Sequence, residues 1–214
     1  MKKPSNLIKK SSRMLHYRKI EEPKTDLIIL HGLLGMSDNW GVLGKRYAQT
    51  YRVHLLDLPN HGQSPHQKNM SFESMAQDII QYMDSENIKK CLIIGHSLGG
   101  KVAITLSFLY PERFHKVIVV DICQRAYQPS MLGLLNLLHS TDLKKFEDRS
   151  DIHQYLLEKL EDRELVGFVG KNIERQKDNT FKWKANLDVI LENYPKMVLL
   201  AFKPYFCTEK ILLI

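Results

Sequence analysis

The sequence predicts an α/β fold: a mostly parallel sheet with helices on both faces and a helical cap over one end. Short apolar strands alternate with amphipathic helical segments through residues 26–121, and such alternation favours parallel strands joined by right-handed crossovers. Past Asp121 the pattern changes to helices, with no convincing core strand until about residue 193. A helical stretch placed after a sheet strand is expected to cover the strand ends, where ligands bind in open α/β sheets.

Size and composition fit one soluble domain without a cofactor. The chain has 214 residues, of which 43% are hydrophobic and 26% charged, an ordinary globular balance. No apolar run approaches the ~18 residues of a membrane span, and the first residues lack the apolar stretch of a signal peptide. Cysteines at 91, 123 and 207 indicate neither a disulfide framework nor a zinc site. We therefore expect a cytoplasmic protein with no membrane span, no cofactor and no metal.

The positive charge is confined to one end of the chain. Residues 1–24 contain eight Lys and Arg against two Glu, so they carry nearly all of the net charge of +7. The rest of the chain therefore lacks the basic patch that a nucleic acid requires. We interpret residues 1–24 as a solvated lead-in, 25–129 as the core, 130–197 as the helical cap and 198–214 as a divergent C-terminal end. The oligomeric state stays open.

Five strands and three helices are predicted before the cap. The predicted strands span residues 14–20 (at an edge), 26–31, 52–58, 91–94 and 116–121. The first helix runs from a cap at Ser37 or Asp38 to about residue 48, with Leu43 and Tyr47 facing inward. Ser71 caps the second helix, and the third buries Val102, Leu106 and Leu109 before ending at residue 110. Three cap helices are predicted at residues 131–139, 151–160 and 163–171.

The stretch Gly95-His96-Ser97-Leu98-Gly99 fits the pattern G-x-S-x-G. It follows an apolar strand and precedes a helix, the context in which this pattern holds a strained serine at the apex of a sharp turn. Glycines at 95 and 99 remove Cβ atoms that would collide in that turn. The helix N-terminus points free N–H groups and a partial positive charge at the serine. The pattern predicts that Ser97 is a nucleophile.

A serine nucleophile needs donors for the oxyanion that develops during attack on a carbonyl group. One donor is expected to be the backbone N–H of Leu98, the residue after the nucleophile. The other is expected from the loop after the strand at 26–31, with Leu33 as the candidate because His31-Gly32 makes a tight turn there. We interpret His31 as a structural residue that fixes this loop.

Several further stretches of the chain match one known family: His31-Gly32-Leu33-Leu34-Gly35, Asp38-Asn39, Asp57-Leu58-Pro59-Asn60-His61-Gly62-Gln63-Ser64-Pro65, Gly95 to Lys101, Val120-Asp121-Ile122, Phe181-Lys182-Trp183 and Glu192-Asn193-Tyr194-Pro195. On these stretches the chain resembles the α/β-hydrolase superfamily and, within it, the bacterial YbfF-type esterase group, over about residues 27–197. The G-x-S-x-G turn, called the nucleophile elbow, is common to many hydrolases, whereas the N-H-G-x-S-P loop at residues 60–65 and the G-G-K extension at residues 99–101 are more specific to the group. This resemblance implies cleavage of acyl esters or thioesters through an acyl-enzyme on Ser97, with Asp121 as the acid of a catalytic triad.

Two departures from the group affect the expected chemistry. The group usually has Ala-Pro where this chain has Cys123-Gln124. Its catalytic histidine follows the last sheet strand, whereas the last histidine here is His153. After about residue 198 the group's pattern stops, as in a truncated or frame-shifted member, so we expect the last strands and final helix to be missing and the sheet to keep an unpaired apolar edge.

The absence of that histidine predicts impaired activity in this chain. Two other histidines were weighed as substitutes, His96 beside the nucleophile and His61 in a loop near the strand ends, and neither is favoured. Two alternative functions stay open. One is a carbon–carbon bond hydrolase of the same fold, because fold does not fix chemistry. The other is a non-catalytic binding protein that has kept the pocket.

Overall fold

The computed structural model describes residues 14–20, 25–123, 126–199 and 211–214. Most of the lead-in, Gln124 and most of the C-terminal end lie outside these residues, so the interpretations placed there stay predictions.

The strands of the described residues are β1 (Tyr17–Ile20), β2 (Asp26–Leu30), β3 (Arg52–Leu56), β4 (Cys91–His96), β5 (Phe114–Val120), β6 (Ile173–Arg175), β7 (Phe181–Trp183) and β8 (Ile211–Leu213). Six of them form a sheet at the centre of the molecule, in the order β1-β3-β2-β4-β5-β8. β1 pairs antiparallel with β3, and the other neighbours are parallel. The α/β class with a mostly parallel sheet is therefore confirmed. A separate hairpin, β6-β7, lies in the cap region.

The described residues contain three helices in the core and four in the region after β5. These helices are α1 (Gly41–Tyr47), α2 (Phe72–Ser85), α3 (Leu98–Leu109), α4 (Leu132–Ser140), α5 (Arg149–Leu160), α6 (Arg163–Gly170) and α7 (Leu187–Leu199). Ser71 caps α2 as predicted, because its hydroxyl accepts a 3.1 Å hydrogen bond from the Ser74 N–H. The predicted cap helices agree with α4, α5 and α6 to within two residues at each end.

Strand β2 shows why the sheet is buried on both sides. Its alternate residues Ile28 and Leu30 pack into the main core with α2, α3 and the cap. Leu27 and Ile29 face the opposite side, where they pack with Val53 and Trp40. Because side chains alternate along a strand, a continuous apolar run is what a two-sided burial requires.

Two asparagines tie the cap region to the core. The Asn172 side chain donates a 2.8 Å hydrogen bond to the carbonyl oxygen of Leu34. The Asn186 side chain donates to the Asn60 side chain at 3.0 Å, and its backbone N–H donates to the Asn60 carbonyl at 2.9 Å. These bonds hold the region after residue 130 over the carboxyl ends of the strands, where a site is expected.

The structure corrects the first helix. Neither Ser37 nor Asp38 caps α1, because residues Ser37–Trp40 form a 3₁₀ turn and α1 begins only at Gly41. Leu43 and Tyr47, predicted to face inward, are 41% and 36% exposed. The face that meets the sheet is instead set by Gly44, whose lack of a side chain lets the helix approach Leu55.

Two further predictions are corrected in detail. Leu109, predicted to be buried, is half exposed at the end of α3. The edge beyond β5 was predicted to be unpaired, but β8 pairs with it in parallel, and the N–H of Asp121 donates to the Ile214 carbonyl at 2.9 Å.

Within the described ranges, every helix is too short or too polar to cross a lipid bilayer.

Candidate active site

Ser97 lies at the turn between β4 and α3, with φ of 49° and ψ of −112°. This positive φ is rare for a residue with a side chain and stores strain. The Ser97 N–H donates to the Val120 carbonyl at 3.1 Å, which ties the turn to the neighbouring strand β5. The turn therefore has the geometry predicted for the elbow, with Ser97 at the N-terminus of a 12-residue helix.

The glycines of the elbow are required by close packing. A methyl group at position 95 would overlap the backbone of Gly99, and one at position 99 would lie 2.7 Å from the His31 carbonyl oxygen. A methyl group at position 100 would overlap the Ile122 side chain. The three glycines thus let α3 turn back directly onto the end of its own strand.

The loop after β2 reaches the elbow from the adjacent strand. The Gly99 N–H donates to the His31 carbonyl at 3.1 Å. A methyl group at Gly32 would lie 2.9 Å from the Nδ1 atom of His96 and 3.3 Å from the Cβ atom of Ser97. Leu33 follows directly, and both Leu33 and Leu98 line the same cavity as Ser97. The structure therefore brings together the nucleophile candidate and the two residues predicted as oxyanion donors.

His31 has the structural role predicted from the sequence. It is fully buried, its Nδ1 atom lies 2.8 Å from the Gly32 carbonyl oxygen, and its Nε2 atom accepts from the Leu58 N–H at 2.9 Å. Burial lowers the pKa of His31 to about 4, so the ring is neutral at pH 7. Both ring nitrogens hold backbone groups, and the ring fixes the two loops that follow β2 and β3.

The second of these loops, residues 57–65, is built around the buried carboxylate of Asp57. That carboxylate accepts hydrogen bonds from the N–H groups of Ser37 at 2.6 Å and Gln63 at 2.8 Å. At Gly62, where φ is 55°, any side chain would overlap the same carboxylate. The carboxylate therefore joins the segment that follows β2 to the loop that follows β3.

A cavity of about 660 Å³ opens above Ser97, between the strand ends and the cap region. Its walls are largely apolar, as expected for a site that binds a small organic molecule. The core contributes Leu33, Trp40 and Phe72, while Met131 and Phe168 come from the cap region. Residues after position 130 therefore form part of the cavity wall together with residues of the core, while the lid stays a prediction.

Asp121, the predicted acid, lies beside this cavity and does not line it. Its side chain is 85% exposed, and its carboxylate lies 3.7 Å from the Nε2 atom of His96, too far for a hydrogen bond. The backbone at Asp121 is left-handed, with φ of 55°. The structure thus places Asp121 at the end of β5 near the elbow, beside a histidine, His96, that itself lines the cavity.

No histidine of the described residues donates to or accepts from the Ser97 hydroxyl. His61 is buried with its Nδ1 atom 2.9 Å from the Pro59 carbonyl, and burial, followed by the neighbouring His31, lowers its pKa to about 3. His153 lies on α5, beside Gly170 of α6. His61 is therefore placed as a neutral structural group, and His153 lines a different cavity.

Sequence reasoning gave no site role to Lys101 and Tyr127, which line the cavity with Ser97. The G-G-K extension gave a signal for Lys101, because position 101 lies one turn along the helix from Ser97. No local sequence pattern pointed to Tyr127. The loop that carries it comes after β5, and the position of β5 depends on long-range pairing with other strands.

The chain belongs to the α/β-hydrolase fold family, whose sequence profile matches residues 26–151. It is 28% identical to Esterase YbfF of Escherichia coli over 176 residues, covering 80% of this chain and 66% of that protein. A Haemophilus influenzae protein provisionally named esterase/lipase is 32% identical over 173 residues, covering 80% of this chain and 60% of that one. The predicted relationship to the YbfF-type group is confirmed.

A solved structure described as a marine microorganism esterase has the same fold. It superimposes with a TM-score of 0.87 and 33% sequence identity, covering 94% of this chain and 79% of that one. The chain spans only 60 to 66% of the two curated relatives named above.

Proposed function

We propose that this protein is a carboxylic-ester hydrolase that cleaves acyl esters or thioesters through an acyl-enzyme on Ser97. The observation that carries the proposal is the strained Ser97, which stands at a helix N-terminus on the wall of a largely apolar cavity. Relatives named as esterases support the same class of reaction. The cytoplasmic location stays a prediction from the sequence.

In the proposed reaction, the Ser97 hydroxyl oxygen attacks the carbonyl carbon of the ester and passes its proton to a base. The N–H groups of Leu33 and Leu98 stabilise the resulting oxyanion, and losing one such donor typically costs ~10² to ~10³ in turnover. The intermediate then expels an alcohol or thiol, which takes up the proton, and leaves the acyl group on Ser97. Water attacks this acyl group by the same steps in reverse and releases the carboxylic acid.

The described residues do not identify the base that takes the proton from Ser97. Asp121 is proposed to orient a histidine, but the described residues offer the Ser97 hydroxyl no histidine partner. Removing the histidine of a comparable triad costs on the order of 10⁶ in turnover, while the oxyanion donors and binding still give ~10³ to ~10⁴ over water. We therefore propose that this chain is a slow esterase.

The test is the release of 4-nitrophenolate from 4-nitrophenyl butyrate. We expect a slow rate above buffer that is lost in Ser97→Ala and kept in Ser107→Ala, a matched change on α3 where the hydroxyl only caps the Ile104 carbonyl. Imidazole in solution can act as a base toward the Ser97 hydroxyl, so it should stimulate the wild-type protein more than Ser97→Ala. Equal rates for the wild type and Ser97→Ala, with and without imidazole, would remove esterase activity as the function.

A non-catalytic binding role is the second candidate, and one observation favours it. The cavity is fully formed while the Ser97 hydroxyl has no hydrogen-bonding histidine in the described residues. Binding of a short 4-nitrophenyl ester, detected as quenching of the tryptophan fluorescence to which Trp40 on the cavity wall contributes, with no Ser97-dependent release of 4-nitrophenolate would support this role in place of hydrolysis.

A further inference from the structure

The first turn of α1 places apolar side chains where the cavity meets solvent. Val42 is 78% exposed, and Leu43 is both exposed and part of the cavity wall. The opposite face of the helix packs on β3 through Gly44, so Val42, about 160° away around the helix, faces away from the sheet. An apolar patch therefore borders the opening through which a ligand reaches Ser97.

The second turn of α1 carries positive charge. Lys45, Arg46 and Tyr47 are exposed, and none of the three lines the cavity. Because α1 leads from the carboxyl end of β2 back to the start of β3, these residues lie about one helical turn, ~5 Å, farther from the cavity than the first turn. The segment between β2 and β3 contains one acidic residue, Asp38, which forms an ion pair with Arg18. No acidic residue of this segment is therefore left to offset the two charges of the second turn.

This order of apolar and basic residues matches the layers at the surface of a lipid bilayer. Helices that bind there bury apolar side chains ~5–10 Å into the boundary between headgroups and acyl chains. Lysine and arginine beside them are attracted to anionic lipids, and tyrosine is enriched at the same level. A second copy of the chain fits the patch less well, because a two-fold contact through the same surface brings like charges together.

We infer that the first turn of α1 docks the protein onto an anionic lipid bilayer, with the cavity opening against the membrane. The largely apolar cavity then takes its ligand directly from the bilayer, in which lipophilic esters dissolve. The word ester rests on the proposed function, whereas the docking is a property of this surface alone.

Sedimentation with sucrose-loaded vesicles tests the inference. We expect the protein to bind vesicles of phosphatidylcholine and phosphatidylglycerol more tightly than vesicles of phosphatidylcholine alone. Val42→Asp should weaken binding to the mixed vesicles by ~10-fold or more, because it removes apolar burial and adds a charge that anionic lipid repels. Lys45→Gln with Arg46→Gln should weaken it by a comparable factor, since each cation near the surface contributes about fivefold.

Each change has a matched control. Leu109→Asp is the control for Val42→Asp, because Leu109 is half exposed at the end of α3 far from Ser97 and lies outside the cavity wall. Lys144→Gln with Lys145→Gln, at two adjacent exposed lysines outside the cavity wall, is the control for the charges. Both controls should bind the mixed vesicles like the wild type. Every variant keeps the basic lead-in, so differences between them report on α1.

Equal vesicle binding by the wild type and Val42→Asp, or an equal loss in Leu109→Asp, overturns the inference. A wild-type protein that does not bind the mixed vesicles also overturns it, and if Val42→Asp then dissociates an oligomer, a second copy covers the patch. Vesicle binding needs no turnover. A protein that binds through Val42 but shows no Ser97-dependent release of 4-nitrophenolate would therefore contradict only the proposed esterase activity.

Discussion

Gly32 lies close to the side chain of Ser97 and leaves little room for a side chain of its own. A Cβ atom there would lie 2.9 Å from the Nδ1 atom of His96 and 3.3 Å from the Cβ atom of Ser97, so Gly32→Ala must displace one of these side chains. Because a displacement of about 1 Å can cost ~10²-fold in rate, we expect Ser97-dependent release of 4-nitrophenolate to fall by ~10-fold to ~100-fold. Gly133→Ala is the control, since nothing lies within 4 Å of that added methyl group. Equal rates for the two variants would contradict the close approach of the loop to the elbow.

Two buried histidines predict how stability depends on pH. Burial lowers the pKa of His31 to about 4 and that of His61 to about 3, against about 6.5 in an unfolded chain. Between these values the unfolded chain binds protons that the folded protein does not, so the free energy of unfolding falls as the pH is lowered from about 6.5. Each histidine contributes up to about 1.4 kcal/mol per pH unit in this window.

Urea unfolding at pH 7 and pH 5 checks this prediction. His61→Gln removes one of these groups and should flatten the pH dependence, while His115→Gln, a change at an exposed histidine on β5, should not. An unchanged slope in His61→Gln would show that this ring is protonated in the folded protein.

At the scale of the elements, the cap region positions the loop that carries Leu33. The buried Asn172 donates to the Leu34 carbonyl, so Asn172→Ala leaves a buried acceptor without its donor, at a cost of about 1–3 kcal/mol in stability. We expect a lower unfolding midpoint together with slower Ser97-dependent release of 4-nitrophenolate. Asn136→Ala, on the exposed face of α4, is the control. Loss of stability with an unchanged rate would show that Asn172 supports only the fold.

The elements that the sequence predicted well are those whose signal is local. The continuous apolar runs of β2, β4 and β5 and the Ser71 cap of α2 depend on neighbouring residues alone, and all are found. The face of α1 was wrong because Gly44, not Leu43 or Tyr47, sets the contact with the sheet. Strand β8 was missed because it depends on pairing with β5, almost a hundred residues earlier in the chain.

The residues of the candidate site also divide into those with a local sequence signal and those that depend on long-range contacts. Ser97 and its glycines could be found because the elbow is a local pattern with a strict geometric demand. The exposure of Asp121 and the cavity positions of Trp40 and Tyr127 depend on how separate loops meet, which no single stretch encodes. Lys101 combines both kinds of feature. Its spacing from Ser97 can be read from the sequence, whereas its burial depends on contacts with distant parts of the chain.

At the scale of the whole molecule, we expect self-association because apolar side chains are exposed at the β8 edge of the sheet. Strand β8 covers part of β5, but the side chains of Leu212, Leu213 and Ile214 stay exposed, Ile214 at 72%. Exposed apolar strands at a sheet edge pair readily with other chains. Light scattering after size exclusion should show a mass that rises with protein concentration, and Leu212→Lys with Ile214→Lys should reduce it.

Val42→Lys is the control for this prediction, because Val42 is equally exposed on α1 away from the sheet edge. A protein that stays monomeric at high concentration, or an equal effect of the control, would contradict association through β8.

The central claim is that Ser97 takes up the acyl group, and mass spectrometry of the protein after incubation with 4-nitrophenyl butyrate tests it most directly. Because 4-nitrophenolate is a good leaving group, acylation of Ser97 is expected to outpace hydrolysis of the resulting butyryl ester, and the acyl-enzyme should accumulate. We predict one butyryl group per chain, located on the peptide that contains Ser97 and absent from Ser97→Ala. A butyryl group on another residue, or the same extent of acylation in Ser97→Ala, would contradict the account.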